Sequence, residues 1–187
     1  MDAVATGIAG SWLLNPIRHH DDRGWFQEWF RHTAILDACG LDFTPAQANI
    51  SHSRRGTVRG IHYSIAPAGQ AKLVTVLAGA IDDYVVDIRP ASPTFGRWIR
   101  RRLTPDDGSA MLISGNLGHA FHALDDGTVV AYLVSSEYDP TAEFTVSPLC
   151  PRVGIDWPIG DGIIMSDRDR NAPDLDRQLA AGHLPRD

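Results

Sequence analysis

Residues Ala71 to Ala78 read AKLVTVLA and, just beyond Gly79, Ile81 to Ile88 read IDDYVVDI. Both stretches are rich in Val, Ile and Tyr, and both follow period 2 rather than 3.6, the pattern of strands whose side chains point to alternate faces. Outward from this pair the pattern recurs at Gly96 to Leu103 (GRWIRRRL) and Thr128 to Ser135 (TVVAYLVS). Gly69, Gly79, Pro90, Pro93, Pro105, Gly108, Gly115, Gly118 and Gly127 punctuate the runs. Short strands at a spacing of roughly 8 to 12 residues predict a sandwich or barrel. Helix is confined to the margins, at His32 to Cys39 (HTAILDAC), which stops at Gly40, and Pro173 to Ala181 (PDLDRQLAA), which stops at Gly182. The expectation is one all-β domain over residues 1–187, a jelly-roll barrel with short peripheral helices and a mouth able to hold a small ligand.

Composition narrows the function classes. The chain of 187 residues is 43% hydrophobic, enough for a sizeable core, and its 2 cysteines exclude a disulfide scaffold. No run approaches 18 apolar residues, and Met1 to Gly10 lacks the basic start of a signal peptide, so a cytoplasmic protein without a membrane role is expected, with Cys39 and Cys150 as free thiols. The formal net charge of -6 argues against a nucleic-acid partner. The dense basic run, Arg97 with Arg100, Arg101 and Arg102, reads as a solvated sheet face that alternates outward charge with inward bulk at Trp98 and Ile99. Of the 17 basic residues a single one, Lys72, is lysine, which raises the question of what arginine could not do there.

The chemistry-bearing inventory centres on histidine. In Arg59-Gly60-Ile61-His62-Tyr63, alternation puts Arg59, Ile61 and Tyr63 on one face and Gly60, His62 and Ser64 on the other, so His62 faces the barrel interior as a reactive group or as a hydrogen-bonded core histidine. His119, after Gly115-Asn116-Leu117-Gly118, has the same two readings. A jelly-roll metal site would pair ligands at i and i+2, but Ser64 stands two places after His62, His119 and His122 differ by three, and His19 and His20 are adjacent, so no metal is expected. Neither cysteine has a histidine nearby, and nucleophile-elbow, dinucleotide and phosphate-loop patterns are missing, so no cofactor is expected either. What remains is proton transfer by His, Tyr and Lys.

Taken in order, the remaining motifs are Asp22-Arg23-Gly24 with Glu28, Gln47-x-Asn49-x-Ser51, Arg59-Gly60-Ile61-His62-Tyr63, Gln70-x-Lys72, Asp87-Ile88-Arg89 with Ser92-Pro93-Thr94-Phe95-Gly96, and Gly118-His119-Ala120-Phe121. Tyr132, Tyr138-x-Pro140, Glu143, Ile155-x-Trp157-Pro158 and Ser166-x-x-Asp169 complete the series. From Ser11 to Pro173 the chain thereby resembles the dTDP-4-dehydrorhamnose 3,5-epimerase family, cupin-type jelly-roll enzymes acting on dTDP-linked 4-keto-6-deoxysugars. The protons at C3 and C5 of such a sugar lie alpha to the ketone. Epimerisation needs a base on one face, an acid on the other and a cation or donor at the carbonyl oxygen.

The resemblance implies His62 as the base, Asp169 as the carboxylate that holds its imidazole, Tyr132 as the acid and Lys72 as the carbonyl partner, with His119 a second donor or shape element near the sugar. It implies Arg59 against the diphosphate with Arg23 and Arg168 nearby, Gln47, Asn49, Glu28 and Tyr138 on the thymidine and sugar, and Glu143 as a further binding residue. It also implies a homodimer in which the strand Gly24 to Arg31 (GWFQEWFR) carries Arg23 and Glu28 to a neighbour's site. There Trp25 and Trp29 share one face and Phe26 and Phe30 the other, so both faces need cover.

Ser64, Leu117, Ala120 and Arg168 depart from the family pattern. Ser64, Leu117 and Arg168 point toward the antibiotic-sugar branch, whose members include C3-only and C5-only epimerases. A 3,4-ketoisomerase of the same sugars would share the fold and binding residues. The joint presence of His62, Lys72, Tyr132 and Asp169 argues against a non-catalytic nucleotide-sugar binding module.

Overall fold

The four period-2 stretches are strands to within two residues at either end. In chain order the elements are β1 (Asp2–Ala5), β2 (Ser11–Asn15), β3 (Arg18–Asp21), β4 (Gly24–Gln27), α1 (His32–Cys39), β5 (Gln47–Ser53), β6 (Val58–Ser64), β7 (Lys72–Ala78) and β8 (Ile81–Asp87). They continue as β9 (Trp98–Leu103), β10 (Ala110–Ile113), β11 (Leu117–Ala123), β12 (Thr128–Val134), β13 (Glu143–Thr145), α2 (Asp167–Arg170) and α3 (Leu175–Ala180). The computed structural model describes residues 1–67, 69–158 and 162–185, so residues 68, 159–161 and 186–187 of the expected domain lie outside the described residues.

Antiparallel pairing builds a six-stranded sheet in the order β1-β2-β10-β7-β12-β5 and a five-stranded sheet in the order β13-β6-β11-β8-β9. Three apolar layers hold them. Val74, Val76, Met111 and Val130 of the first sheet meet Ile81, Val85, Leu103 and Phe121 of the second inside the barrel. Ile61, Tyr63, Tyr84 and Val86 on the outside of the five-stranded sheet pack against Val153, Trp157, Leu175 and Leu184 of the C-terminal segment. Ile35 of α1 and Phe43 cover Leu73, Ala110 and Leu112 on the outside of the six-stranded sheet. At roughly 25 cal/mol per Å² of apolar surface removed from water, such layers supply the main driving force for folding.

Helix α1 has the expected bounds and ends on Gly40 at φ 67°, a left-handed conformation that a side chain resists. The second helix is shorter than predicted: α3 begins at Leu175 because Asp174, with φ -68° and ψ 163°, is its N-cap, leaving Pro173 outside. The strand expected over Gly24 to Arg31 also contracts, to Gly24–Gln27. Beyond it Glu28 and Arg31 form an ion pair at 2.8 Å, while Trp29 and Phe30 pack beside Ile35 and Phe43. β4 pairs with β3 in a hairpin of its own, and Trp25 and Phe26 are 54% and 69% exposed. In β9 three consecutive arginines are exposed, which strict alternation does not allow; β9 is an edge strand, so side chains from both of its faces reach solvent. Arg100 and Arg102 lie 3.8 and 3.1 Å from the buried Asp82 carboxylate.

The β8–β9 connection is tied down by Asp87. Its fully buried carboxylate accepts hydrogen bonds from Arg89 at 2.9 and 2.7 Å, and from the hydroxyls of Ser92 and Thr94 at 2.5 Å each. Burial alone would raise its pKa, but these donors outweigh burial and hold it at about 2. Because the folded-state value lies below the unfolded one, the bonds stabilise the fold above the ordinary carboxylate range, and that contribution is lost as pH falls toward 2. Asp87→Asn is predicted to lower the unfolding free energy at neutral pH by about 2 kcal/mol and to flatten the acid limb of the stability profile, as read by urea denaturation at neutral and acid pH.

Candidate active site

Between its contacts with β11, strand β6 carries one residue too many. His62 pairs with His119 and Arg59 with Phe121, so three steps along β6 oppose two along β11, a β-bulge at Gly60-Ile61. Gly60 has φ 126°, and a Cβ there would lie 2.4 Å from that of Ala120, so only glycine fits. The bulge corrects the alternation read from the sequence. Ile61 and Tyr63 turn outward to the C-terminal layer as expected, but Arg59 shares the interior side with His62. Its guanidinium reaches across to β5, donating to Ser53 Oγ at 3.2 Å and to the His52 carbonyl at 3.3 Å.

A second element converges on the same point. Ser166 caps α2, its Oγ accepting the Asp169 backbone N–H at 3.1 Å, which fixes the first turn with Asp169 facing β6. The Asp169 carboxylate, 3% exposed, lies 2.6 Å from His62 Nε2. Burial would raise the Asp169 pKa, but the His62 contact, Ser166 and the Gly60 backbone N–H bring it below the usual value. An ionised carboxylate at that position accepts the Nε2 proton, leaving His62 Nδ1 with its lone pair free.

The six-stranded sheet supplies the facing wall. His62, Lys72, Tyr132, Gln70, Gln47, Asn49, Val134, Tyr138, Glu143 and Arg168 line a cavity of about 410 Å³. A neighbouring cavity of about 300 Å³ is lined by Arg59, Asp169, His52, Ser53 and Ser166 among others, so the His62–Asp169 contact joins the two. Tyr132 is half-buried, and burial raises its pKa, with Arg59 lowering and Glu143 raising it in smaller measure. Its phenol is therefore a neutral donor at pH 7. Lys72 is 7% exposed, and its side chain makes no hydrogen bond or ion pair with the described residues. Desolvation lowers its pKa, partly offset by Glu143 and reinforced by Arg168. A proton acceptor on one sheet thus faces a proton donor and a buried cation on the other, the set needed to remove a proton, return one and hold a developing oxyanion.

The polar residues around these three are braced by one another. Gln47 Nε2 donates to Asn49 Oδ1 at 2.7 Å, and its Oε1 accepts the Tyr138 backbone N–H at 2.9 Å. Arg168 donates to Thr145 Oγ1 at 3.1 Å and to the Glu143 carbonyl at 3.2 Å. Three of the residues singled out in the sequence stand apart. Arg23 is ion-paired with Asp21 and its side chain is 89% exposed, Glu28 is engaged with Arg31, and neither lines the cavities of their own chain. His119 lies beside His62 in the sheet, but its ring is turned to the fully buried Asp83 at 2.6 Å and lines neither cavity.

Asp83 is the group that sequence reading missed. Its signal was present: Asp82-Asp83 in an otherwise apolar strand sends one carboxylate to each face, and the inward one must find a partner. Among the described residues, no three His, Cys, Asp or Glu side chains come together as a metal-binding group.

The chain is similar to known proteins along nearly its whole length. A family model described as dTDP-4-dehydrorhamnose 3,5-epimerase matches residues 5–177. The chain is 46% identical over 185 residues to the dTDP-4-dehydrorhamnose 3,5-epimerase of Mycolicibacterium smegmatis, covering 99% of this chain and 91% of the relative. NovW, a 4-keto-6-deoxy sugar epimerase from the novobiocin biosynthetic gene cluster of Streptomyces spheroides, superimposes with a TM-score of 0.95 at 42% identity, covering 100% of this chain and 93% of that one. ChmJ, a 3'-monoepimerase of Streptomyces bikiniensis solved with dTDP-quinovose, gives 0.93 at 43% identity, with 100% and 93% covered.

A buried cation without a partner weakens the fold that holds it. Lys72→Met, of similar length and without the charge, is predicted to raise the unfolding free energy by about 1 to 2 kcal/mol, a melting-temperature gain of a few degrees in thermal denaturation.

Proposed function

Because the chain belongs to the dTDP-4-dehydrorhamnose 3,5-epimerase family, we propose that it inverts a stereocentre alpha to the C4 ketone of a dTDP-linked 4-keto-6-deoxyhexose, at C3, C5 or both. The observation that carries the reading is the pairing of His62 on one wall with Tyr132 and Lys72 on the other, around a single cavity. In this reading the ketone oxygen lies against Lys72 Nζ. His62 Nδ1 takes the alpha proton, and the imidazolium formed is stabilised by the Asp169 carboxylate at 2.6 Å. The electron pair moves to the carbonyl oxygen as an enolate, which the ammonium of Lys72 neutralises in a site with little water. Tyr132 then protonates the same carbon from the opposite face. Lysine suits this task better than arginine because its charge is compact and its burial is tolerated with a lowered pKa.

The nucleotide is held by the same logic. Arg59, in the adjoining cavity, pairs with the diphosphate through charge-assisted hydrogen bonds, and Arg168 adds positive charge at the cavity rim. Gln47, Asn49, Tyr138 and Glu143 bind the thymidine and sugar. His119, anchored by Asp83, shapes the wall behind His62 rather than touching the sugar. The reaction is assigned to the cytoplasm, consistent with two free thiols, Cys39 and Cys150.

Arg23 and Glu28 complete the site from a second copy. The β3–β4 hairpin belongs to neither large sheet and exposes Trp25 and Phe26, which a partner would cover, and this supports a homodimer that exchanges these hairpins. Sedimentation equilibrium is expected to show a dimer that Trp25→Ala with Phe26→Ala weakens together with activity; a fully active monomer would contradict the exchange.

Incubation with dTDP-4-keto-6-deoxyglucose in deuterated water, followed by NMR, tests the reaction. Deuterium is expected at C3, C5 or both, and in His62→Ala it is expected to fall by at least about 10³-fold while dTDP binding persists. Wild-type protein that takes up no deuterium at either carbon would remove the reading.

A further inference from the structure

Gln70 stands two residues ahead of Lys72 in the wall of the same cavity, with 7% of its surface exposed. Its amide nitrogen is already committed, donating to the Ser136 carbonyl at 3.3 Å and to Ser136 Oγ at 3.2 Å. A carbonyl oxygen can only accept, so this contact fixes which end of the amide is nitrogen. Oε1 is therefore the free end, an acceptor that no described residue uses.

The backbone around Gln70 is equally fixed. The Ala71 N–H donates to Ser135 Oγ at 2.9 Å, and the Ser135 N–H returns to the Ala71 carbonyl at 3.0 Å. Gly69 lies so close to Gly115 that a Cβ on it would come within 2.5 Å of the Gly115 carbonyl. The acceptor is thus preorganised rather than swinging freely.

The counterpart of a fixed acceptor is a donor. On a 4-keto-6-deoxyhexose the ketone is itself an acceptor and falls to Lys72, whereas the ring hydroxyls donate. We propose that Gln70 is a specificity-determining residue whose Oε1 accepts a hydrogen bond from a ring hydroxyl at C2 or C3, so that the cavity selects hexoses hydroxylated there over their deoxy counterparts. This inference rests on the epimerase reading and adds a substrate feature to it. A sugar lacking that hydroxyl leaves Oε1 buried and unpaired, which selects against it by about tenfold or more; an apolar replacement leaves nothing unpaired, and the selection falls to about twofold.

The test compares dTDP-4-keto-6-deoxyglucose with its 2-deoxy and 3-deoxy counterparts. Solvent deuterium uptake alpha to the ketone gives kcat/KM for wild type, Gln70→Met, and Gln70→Asn, which keeps an amide but draws the acceptor back by one methylene. Wild type is expected to disfavour one deoxy sugar by about tenfold, and either folded variant to reduce that ratio to about twofold. A wild type indifferent to both hydroxyls, or a ratio unchanged in the variants while all three substrates slow equally, would overturn the proposal.

Calorimetry with the unreactive dTDP-6-deoxyglucose and its 2-deoxy and 3-deoxy forms separates this inference from the reaction itself. Wild type that binds with the expected preference but exchanges no proton sinks the epimerase reading and leaves the hydroxyl contact standing. Exchange without any preference does the reverse.

Discussion

Two residues of β6, Gly60 and Ile61, oppose the single Ala120 of β11 between the pairs His62–His119 and Arg59–Phe121, and the whole cleft is arranged around that mismatch. Without the bulge, a guanidinium at position 59 would point into the outer apolar layer beside Ile61 and Tyr63, where a charge is costly to bury. With it, Arg59 and His62 both look toward the six-stranded sheet, and the Gly60 N–H is freed to bond Asp169. The bulge is possible because Gly60 takes a positive φ with Ala120 directly beneath it. A local irregularity of one residue therefore brings Arg59 and His62 to the same side of β6.

The same architecture separates groups that stabilise from groups that act. Asp87 is buried with every donor it needs, and its carboxylate is held at about 2, which is the signature of a structural anchor. The Lys72 side chain is buried without a hydrogen bond and burial lowers its pKa, which costs stability; in the proposed reaction it is the cation that meets the carbonyl oxygen. The Asp169–His62 pair lies between these extremes, with a buried carboxylate and an imidazole still 35% exposed toward the cavity. Placing His62 and Tyr132 on different sheets lets the sandwich itself set the distance between them, so the geometry rests on packed strands rather than on loops.

Much of this was legible before any coordinates. Period-2 runs located β7, β8, β9 and β12 because alternate side chains of the strands enter the inner and the outer layers, and Gly40 ended α1 where a left-handed residue was required. The order of polar motifs pointed to His62, Tyr132, Lys72, Gln47, Asn49, Tyr138, Glu143 and Arg168, all of which line one cavity. Strict alternation failed where the backbone is irregular or one side is open. It mis-set Arg59 because a bulge leaves no mark in the alternation except a glycine, and it mis-set the arginines of β9 because the inner face of this edge strand is covered at Ile99 and Leu103 but open at Arg101. Long-range partners such as Asp83 for His119 are tertiary facts, although a doubled aspartate in an apolar strand was a fair warning. Arg23 and Glu28 line neither of the two cavities of their own chain, and no pattern in the sequence marks that.

The central claim is that Asp169 fixes His62 with its proton on Nε2, so that Nδ1 is the base presented to the sugar. Nitrogen-15 NMR of the histidine ring reads this directly. In wild type the account predicts that the His62 ring carries its proton on Nε2, and in Asp169→Asn a mixture of tautomers. A wild-type ring protonated on Nδ1, or one whose tautomer ignores the loss of the carboxylate, would contradict it.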